Sequence, residues 1–377
     1  MKPISAAVPW GSYDQWNRIE DFYIMGRMTS KERILKTLDG RIPDRVPMLT
    51  FGIDTKFIKG LGGGSFERTL EVLGLDVYPI YSQNWCQGEK LSAGLSKDVP
   101  EAMQTAGGTY AGWNGVDEFG RLWKKGSYVG GVIRTREDIE RYVPELRLEE
   151  RTDPKKTRAL IQRHPEKAFG LCSHTGPFGL TLESIGFEDF FYLYMDDREL
   201  IKKLLWERTK WFAEISAYCA ELGADLILMG DDVAFKGRTF ISPKDFEELM
   251  VPCFRYIAEH AGVPVIWHSD GYITPVLHVA VKSGLVGVHS LEPTAGVDLD
   301  EVKREFGDQL VLVGNVDCGR VLCQDDLEKV RQDVQRCMDQ AKEGGRYILS
   351  DSNSIHAGCN PDAVMEMFRY AREIGAY

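Results

Sequence analysis

The feature that most constrains the fold is a recurrence of short apolar segments, each followed by a helical pattern. Eight segments are predicted as strands: 45–51, 76–82, 168–174, 224–231, 263–269, 286–291, 310–316 and 347–351. They are almost continuously apolar, as expected for parallel strands that are covered on both faces. Eight strands that alternate with helices in a chain of 377 residues favour an α/β fold of the (β/α)8 TIM-barrel type over an open doubly wound sheet.

Helix starts are predicted where this scheme needs them. Three sites put a capping side chain before a proline: Ser242-Pro243, Thr274-Pro275 and Asn360-Pro361. Such a proline suits the first helical position, because its missing N–H would have no partner there. Thr29 and Glu32 have the spacing of a capping box and predict a further helix start.

Two segments fall outside the repeat. Residues 1–28 form an aromatic-bearing N-terminal arm, and residues 29–377 are predicted to form a single barrel domain. A small β insertion is expected on the barrel rim after the second strand, at about 105–134, because that stretch is rich in glycine and aromatic residues. The arm is expected to pack on its own barrel or on a second subunit, as in a homodimer; a lid over the substrate is the alternative.

Composition and charge limit which partners the protein can bind and in which cellular compartment we expect it. A net charge of −11 and a pI of 5.3 argue against a nucleic-acid partner. The sequence has no apolar run of about 18 residues and no recognisable secretory signal, so we expect a cytoplasmic protein that does not cross a membrane. Eight cysteines are scattered without any C-x-x-C pair, which is typical of reduced thiols and not of a disulfide framework.

Polar residues follow most of the predicted strands. In a barrel the catalytic groups lie where the strands end, at the C-terminal mouth. The candidates read from those positions are His174, Asp231, Asp232, His268, Asp270, Glu292, Asn315, Asn353 and His356. We expect these side chains to converge on one rim and to form the site.

His268 and Asp270 are the strongest pair among them. Residues i and i+2 of an extended segment face the same way, so both side chains can reach into the mouth. An imidazole and a carboxylate can begin a catalytic zinc site, and Glu292 at the next strand end could supply the third ligand. In the alternative interpretation, His268 satisfies a buried hydrogen bond and Asp270 caps the turn before Gly271.

Four further candidates have two interpretations each. Asp231 and Asp232 can bind a polar substrate or act as a general base; they can equally cap a turn and pair with nearby basic residues. Asn315 and Asn353 are plausible amide hydrogen-bonders for a substrate, or structural loop residues. The spacing does not decide between these alternatives.

Several segments resemble the uroporphyrinogen decarboxylase superfamily, in the order and spacing of that family, over roughly residues 28–375. They are 28–47, 117–120, 230–232, 241–243, 267–271, 314–317 and 347–361. The resemblance implies a (β/α)8 barrel with its site at the C-terminal mouth. The superfamily contains the haem-pathway decarboxylase and corrinoid-linked methyltransferases.

The decarboxylase of that superfamily binds its substrate through an arginine-bearing segment after the first strand. Residues 50–57 of this chain contain no arginine. A mouth rich in acids would also repel a substrate that carries eight carboxylates. The resemblance therefore does not imply uroporphyrinogen decarboxylation here.

The methyltransferases that alkylate a thiol hold zinc through an H-x-C motif and a later cysteine. His268 matches their histidine, whereas Asp270 and Asn353 stand where the two cysteines would be. Without the thiolates, the site is harder and suits an oxygen-linked methyl donor. The resemblance thus implies a corrinoid-dependent O-demethylase, in which zinc on His268, Asp270 and Glu292 activates the leaving oxygen of a methoxylated, aromatic substrate.

In this hypothesis the methyl group passes to the Co(I) corrinoid of a partner protein. The site residues then divide into catalytic Asp232, His268 and His356, and substrate-binding His174, Asp231, Asn315 and Asn353. Two alternatives stay open. One is a metal-free decarboxylase or lyase that acts on a smaller acid through Asp232 and His268, and the other is a barrel that binds a corrinoid or tetrapyrrole without turnover.

Overall fold

A computed structural model describes residues 28–80, 114–125, 127–146, 148–173 and 176–377, to which all structural statements refer. The strands are β1 (Val77–Ile80), β2 (Gly115–Val116), β3 (Arg121–Lys124), β4 (Ser127–Gly131), β5 (Ala168–Ser173), β6 (Leu226–Gly230), β7 (Ala234–Phe235), β8 (Arg238–Thr239), β9 (Val265–Ser269), β10 (Gly287–Ser290), β11 (Val311–Val316) and β12 (Tyr347–Asp351). The helices are α1 (Ser30–Leu38), α2 (Thr55–Leu61), α3 (Phe66–Leu73), α4 (Arg136–Arg141), α5 (Leu148–Arg151), α6 (Pro154–Arg163), α7 (Pro177–Ile185), α8 (Phe187–Asp196), α9 (Arg198–Leu222), α10 (Pro243–His260), α11 (Leu277–Lys282), α12 (Leu299–Phe306), α13 (Leu327–Ala341) and α14 (Pro361–Ile374).

Seven strands form one parallel sheet in the order β1-β5-β6-β9-β10-β11-β12. Every residue of these strands is buried, which explains why their sequences are nearly continuous apolar runs. All seven coincide with predicted strands, and helices follow them along the chain. The predicted α/β barrel architecture is confirmed.

The eighth predicted strand, 45–51, is the exception. It is an irregular extended segment with one parallel bridge, between Met48 and Leu349 of β12. Pro47 has no N–H to donate to a ladder, although its carbonyl accepts from the Leu349 N–H at 2.9 Å. On the other side, the Met48 carbonyl accepts from the N–H of Asp76, just before β1, at 2.9 Å. The segment therefore takes the eighth position and closes the barrel between β12 and β1.

A buried carboxylate fixes this closing segment. Asp76 has no exposed surface, and its oxygens accept from the Met48 N–H at 2.9 Å, from Arg33 Nη1 at 2.7 Å and from Arg45 Nη1 at 2.9 Å. Burial alone would raise the pKa of Asp76, but the two guanidinium groups outweigh burial and hold that pKa below its usual value. A charged Asp76 thus links the first helix, the closing segment and β1.

A second, antiparallel sheet of β2, β3 and β4 covers residues 115–131, within the stretch assigned to an insertion. The sheet contacts α7 through the Tyr128 hydroxyl, which donates to the Glu183 carbonyl at 3.0 Å. Just after the sheet, the Ile133 N–H donates to the Ser184 carbonyl at 3.0 Å. Residues 1–27 of the arm and 105–113 of the insertion lie outside the described residues. The division into arm and barrel domain stays a prediction.

Three of the four predicted helix caps are present. Thr29 and Glu32 form the capping box of α1, the Ser242 hydroxyl accepts from the first turn of α10, and Asn360 does the same for α14. Thr274 differs, because it begins a 3-10 turn, Thr274–Val276, that precedes α11. Among the described helices, none combines the length and apolar character that a membrane crossing requires.

Candidate active site

Three polar side chains meet at the mouth of the barrel, beside the ends of β6 and β9. Gly230 of β6 pairs with His268 of β9, which brings the following residue pair of β6 next to the His268 ring. His268 Nε2 lies 4.0 Å from Asp232 Oδ1 and 3.8 Å from Asp270 Oδ1. One ligand atom from each of the three residues lies within 4.8 Å of the other two. We call Asp232, His268 and Asp270 the Asp–His–Asp cluster.

The ring of His268 is held from two sides. Phe51 stacks on it with a centroid separation of 4.1 Å and an angle of 7° between the planes. His268 Nδ1 lies 2.6 Å from Nδ1 of His289, and His289 Nε2 lies 3.1 Å from the Ser350 hydroxyl. These contacts direct His268 Nε2 at the two carboxylates.

Asp270 is positioned by three groups. Its backbone N–H donates to Asp232 Oδ1 at 2.9 Å, the Ser290 hydroxyl donates to Oδ1 at 2.9 Å, and the Asn353 amide donates to Oδ2. Loss of solvation raises the pKa of Asp270, and the negative charge of Asp232 raises that pKa further. The carboxylate of Asp270 is therefore fixed in space, and a nearby cation would stabilise its charged form.

Asp232 faces the open side of the mouth. Its side chain is 54% exposed, yet the surrounding protein atoms in this concavity displace enough water to raise its pKa. Glu292 and Glu183 add negative charge that acts in the same direction. A cation bound between Asp232 and Asp270 would relieve the cost of holding two carboxylates together.

The donor set of the cluster fits a divalent cation. Carboxylate oxygens and imidazole nitrogens both bind zinc, and three protein ligands leave one position of a tetrahedral catalytic site open. Only one proton can lie between the Nδ1 atoms of two neutral rings, and a proton on His268 Nδ1 puts the lone pair on Nε2, which faces the two carboxylates. The hydrogen bond between the His268 and His289 rings is thus compatible with metal binding at His268 Nε2.

Glu292, predicted as the third ligand, lies beside this cluster and not in it. Its Oε2 accepts from the Gly271 N–H at 2.9 Å, and its Oε1 contacts the Thr294 hydroxyl. The third carboxylate or imidazole close enough to share an ion with His268 and Asp270 is that of Asp232, where the sequence predicted Glu292. The carboxylate of Glu292 instead supports the turn that carries Asp270.

Two predicted substrate-binding residues are engaged by the protein itself. Asp231 is buried and accepts from the N–H groups of Phe178 and Gly179, at 3.1 and 2.6 Å, in the first turn of α7. Burial raises the pKa of Asp231 to about 8, although both amides oppose that shift. Asn315 is also buried, and its amide donates to the Leu291 carbonyl at 2.7 Å and accepts from Arg336 Nη1 at 3.1 Å.

The other predicted residues are distributed differently. Asn353 contacts Asp270 and therefore supports the cluster. His356 lies 3.1 Å from the Cys318 carbonyl through Nε2 and belongs to a group with Cys323 and Cys359, not to the Asp–His–Asp cluster. His174 is outside the described residues.

His289 is the functional candidate that the sequence analysis missed. It lies within β10, buried, and pairs in register with His268 of the neighbouring strand. A signal was present, because both strands end in the dipeptide His-Ser. Two identical dipeptides at the ends of adjacent parallel strands place two imidazoles side by side.

Comparison with known proteins assigns the family. The profile of the family described as uroporphyrinogen decarboxylase (URO-D) matches residues 119–374, more than half of the chain. The chain belongs to the uroporphyrinogen decarboxylase family. The matched range contains the whole Asp–His–Asp cluster and His289, whereas Phe51 lies before it.

Relatives within the uroporphyrinogen decarboxylase family carry two kinds of name. The chain is 30% identical over 164 residues to uroporphyrinogen decarboxylase 2, chloroplastic, of Arabidopsis thaliana, which is 42% of this chain and 38% of that one. It is 25% identical over 180 residues to the methylcobamide:CoM methyltransferase MtaA of Methanosarcina barkeri, which is 48% of this chain and 51% of that one. The chain thus spans about half, or less, of the length of these relatives.

A solved structure supports the fold of this family member. A methyltransferase from Methanosarcina mazei superposes with a TM-score of 0.68 at 19% identity, over 92% of this chain and 99% of that one. At this identity the likeness bears on the fold alone. It agrees with the barrel built from the seven parallel strands and the closing segment.

Proposed function

We propose that this chain is a zinc-dependent methyltransferase that moves a methyl group from a methoxylated aromatic substrate to the Co(I) corrinoid of a partner protein. The observation that carries the proposal is the Asp–His–Asp cluster at the mouth of the barrel. The similarity to MtaA, whose name specifies methyl transfer from a methylcobamide, supports the corrinoid as the methyl carrier. Of the two reactions named among the relatives, we favour methyl transfer, because a metal ion at this cluster would supply the Lewis acid that activates an ether oxygen.

Each residue of the site has a distinct task in this proposal. Asp232, His268 and Asp270 would hold the zinc ion, which when bound supplies a Lewis acid beside the ether oxygen. Asn353 and Ser290 fix the carboxylate of Asp270. His289 fixes the ring and the tautomer of His268.

The substrate class is argued from the charge and hardness of the site. Carboxylate ligands make a harder metal site than thiolates would, and a hard site suits an oxygen-linked donor. The carboxylates at the mouth also disfavour a polyanionic substrate and favour a neutral one. In the transfer, the C–O bond breaks with its electron pair on oxygen, while Co(I) provides the pair for the new bond to carbon.

The test combines metal analysis with an activity assay. Protein purified without chelator is expected to contain about one zinc ion per chain that is lost in the His268→Ala variant. Incubation with a Co(I) corrinoid protein and a panel of methoxylated aromatics is expected to convert Co(I) to its methylated form with at least one donor. Absence of this His268-dependent zinc ion, or no methylation with any donor, would contradict the proposal.

A second candidate is a metal-free decarboxylase or lyase. It is favoured by the raised pKa of Asp270, because a carboxylic acid that keeps its proton near neutral pH can act as a general acid next to His268. Chelation separates the two functions. Activity on a small acid that survives removal of zinc would support this candidate over methyl transfer.

His289 provides a prediction about positioning within the proposed site. His289→Phe keeps a ring beside His268 and Phe51 but removes the acceptor for His268 Nδ1–H. We expect zinc affinity to fall about 10- to 100-fold, the usual effect of removing an outer hydrogen-bond partner of a ligand. His289→Gln, whose carbonyl can accept the same bond, is the matched variant and should recover part of the affinity. Equal zinc affinity of His289→Phe and wild type in a competition titration would contradict this role.

A further inference from the structure

A second group of metal-ligating side chains lies outside the Asp–His–Asp cluster. Cys323 follows β11, and His356 and Cys359 lie in the loop between β12 and α14. One ligand atom from each residue lies within 4.8 Å of the other two. We propose that Cys323, His356 and Cys359 form a second metal site, which binds Zn2+ and joins the loops after β11 and β12.

The spacing of the ligand atoms suits zinc. Bonds of about 2.3 Å to sulfur and about 2.0 Å to nitrogen, at a tetrahedral angle, put the two ligand atoms about 3.6 Å apart. Cys323 Sγ and His356 Nε2 are 3.9 Å apart. A shift of a few tenths of an ångström therefore brings this pair to the distance that a bound ion requires.

The three ligand atoms converge on one point. The carbonyl oxygen of Cys318 lies 3.2 Å from Cys323 Sγ, 3.1 Å from His356 Nε2 and 3.8 Å from Cys359 Sγ. A carbonyl oxygen has two lone pairs, so it cannot accept a full hydrogen bond from all three donors at once. A cation shared by the three side chains would replace these competing contacts, with its fourth position next to the same oxygen.

The chemistry of the ligands selects the ion. Two thiolates and an imidazole make a soft site that prefers zinc over magnesium or calcium. One local contact must open, because the Gly358 N–H donates to His356 Nδ1 at 3.0 Å and an imidazole bound through Nε2 carries its proton on Nδ1. His356 and Gly358 lie at the surface, where water can take over that amide.

The site has a structural consequence for the mouth. The same loop after β12 carries Asn353, which donates to Asp270 of the Asp–His–Asp cluster. An ion that ties this loop to the loop after β11 would restrict its motion. We assign the second ion a structural task, independent of whether the Asp–His–Asp cluster binds metal or transfers methyl groups.

Cobalt tests this site without interference from the first one. Thiolate ligands give Co2+ an intense near-ultraviolet charge-transfer band, and the Asp–His–Asp cluster contains no sulfur. Titration of the full chain with Co2+, in the presence of a phosphine reductant, is expected to produce this band with about one ion per chain. Absence of the band with excess Co2+ would overturn the proposal.

Variants locate the band. Cys323→Ser, at the surface, is expected to weaken Co2+ binding at least tenfold and to reduce the band, and the double variant Cys323→Ser/Cys359→Ser is expected to abolish it. Cys253→Ala is the matched control, because Cys253 is buried in α10 with its thiol on the Leu249 carbonyl. A band that persists in the double variant would overturn the assignment.

Alkylation gives a readout that needs no change at the buried Cys359. Zn2+ is expected to slow the reaction of Cys323 with iodoacetamide at least tenfold in the wild-type chain, since a metal-bound thiolate is shielded. The protection should be lost in His356→Ala. Equal protection of Cys323 in wild type and His356→Ala would contradict the role of the imidazole.

Discussion

Replacement of His268 by alanine is expected to remove zinc from the Asp–His–Asp cluster and to lower methyl transfer at least about 100-fold. The substitution deletes the only nitrogen ligand of the cluster and leaves two carboxylates that repel one another. Loss of an outer partner of a metal ligand already costs 10- to 100-fold in affinity or activity, so loss of a ligand itself should cost more. Zinc content and the rate of Co(I) methylation would be measured on the same preparation.

His278→Ala is the matched control for this experiment. His278 lies on α11, half-buried, with Nε2 2.9 Å from Glu247, and it has no contact with the mouth in the described part of the chain. Its replacement should leave zinc content and rate unchanged. Full methyl-transfer activity in His268→Ala would refute the proposed role of His268.

Replacement of Asp76 by asparagine is expected to lower the free energy of unfolding by about 3–5 kcal/mol. This is the usual cost of removing one partner of a buried ion pair, because the other partner then keeps an uncompensated charge. Here Arg45 loses a contact at 2.9 Å, and Arg33, whose side chain is 5% exposed, loses a contact at 2.7 Å. Because Arg33 keeps its ion pair with Asp44 at 2.7 Å, we expect the lower end of this range. Urea unfolding at pH 7 measures the change. Asp39→Asn is the control, since Asp39 pairs with Arg41 at the surface, where such pairs contribute about 0–1 kcal/mol.

The effect of Asp76 should also depend on pH. The pKa of Asp76 is lowered in the folded protein, whereas an unfolded aspartate titrates at about 3.9. The carboxylate therefore stabilises the fold above about pH 4, and this contribution is lost as the pH falls through the lower, folded pKa. The difference in unfolding free energy between wild type and Asp76→Asn should stay constant from pH 8 to 5 and shrink below about 4. A difference that is the same at pH 7 and pH 3 would contradict the charged state assigned to Asp76.

Seven of the eight strands could be predicted because burial on both faces leaves a simple signal in the sequence. Ends differed by two residues or fewer in the described part, for example 224–231 against Leu226–Gly230. The segment 45–51 has the same apolar content, yet Pro47 prevents a regular ladder. Its role in closing the barrel depends on the pairing of Met48 with Leu349, and such a distant contact cannot be predicted from a local sequence pattern.

The site was predictable in part, for a related reason. Asp232, His268 and Asp270 come together because parallel strands end on one side of the sheet, and sequence order alone gives that. The choice between Asp232 and Glu292 depends on hydrogen bonds, since the Gly271 N–H engages Glu292. His356 lies farther along its loop than a strand end, and the course of that loop toward Cys323 could not be inferred from spacing.

The pairing of the closing segment with β12 joins stretches about 300 residues apart in sequence. A chain that is synthesised from its N-terminus can pair β1 through β11 as they emerge, but residues 47–49 have no neighbour on one side until β12 has left the ribosome. Until that moment the sheet has two unpaired edges, which are the part of an incomplete fold most prone to join another chain. Because so distant a contact forms only after most of the chain is ordered, ring closure is expected to be a late and slow step of folding.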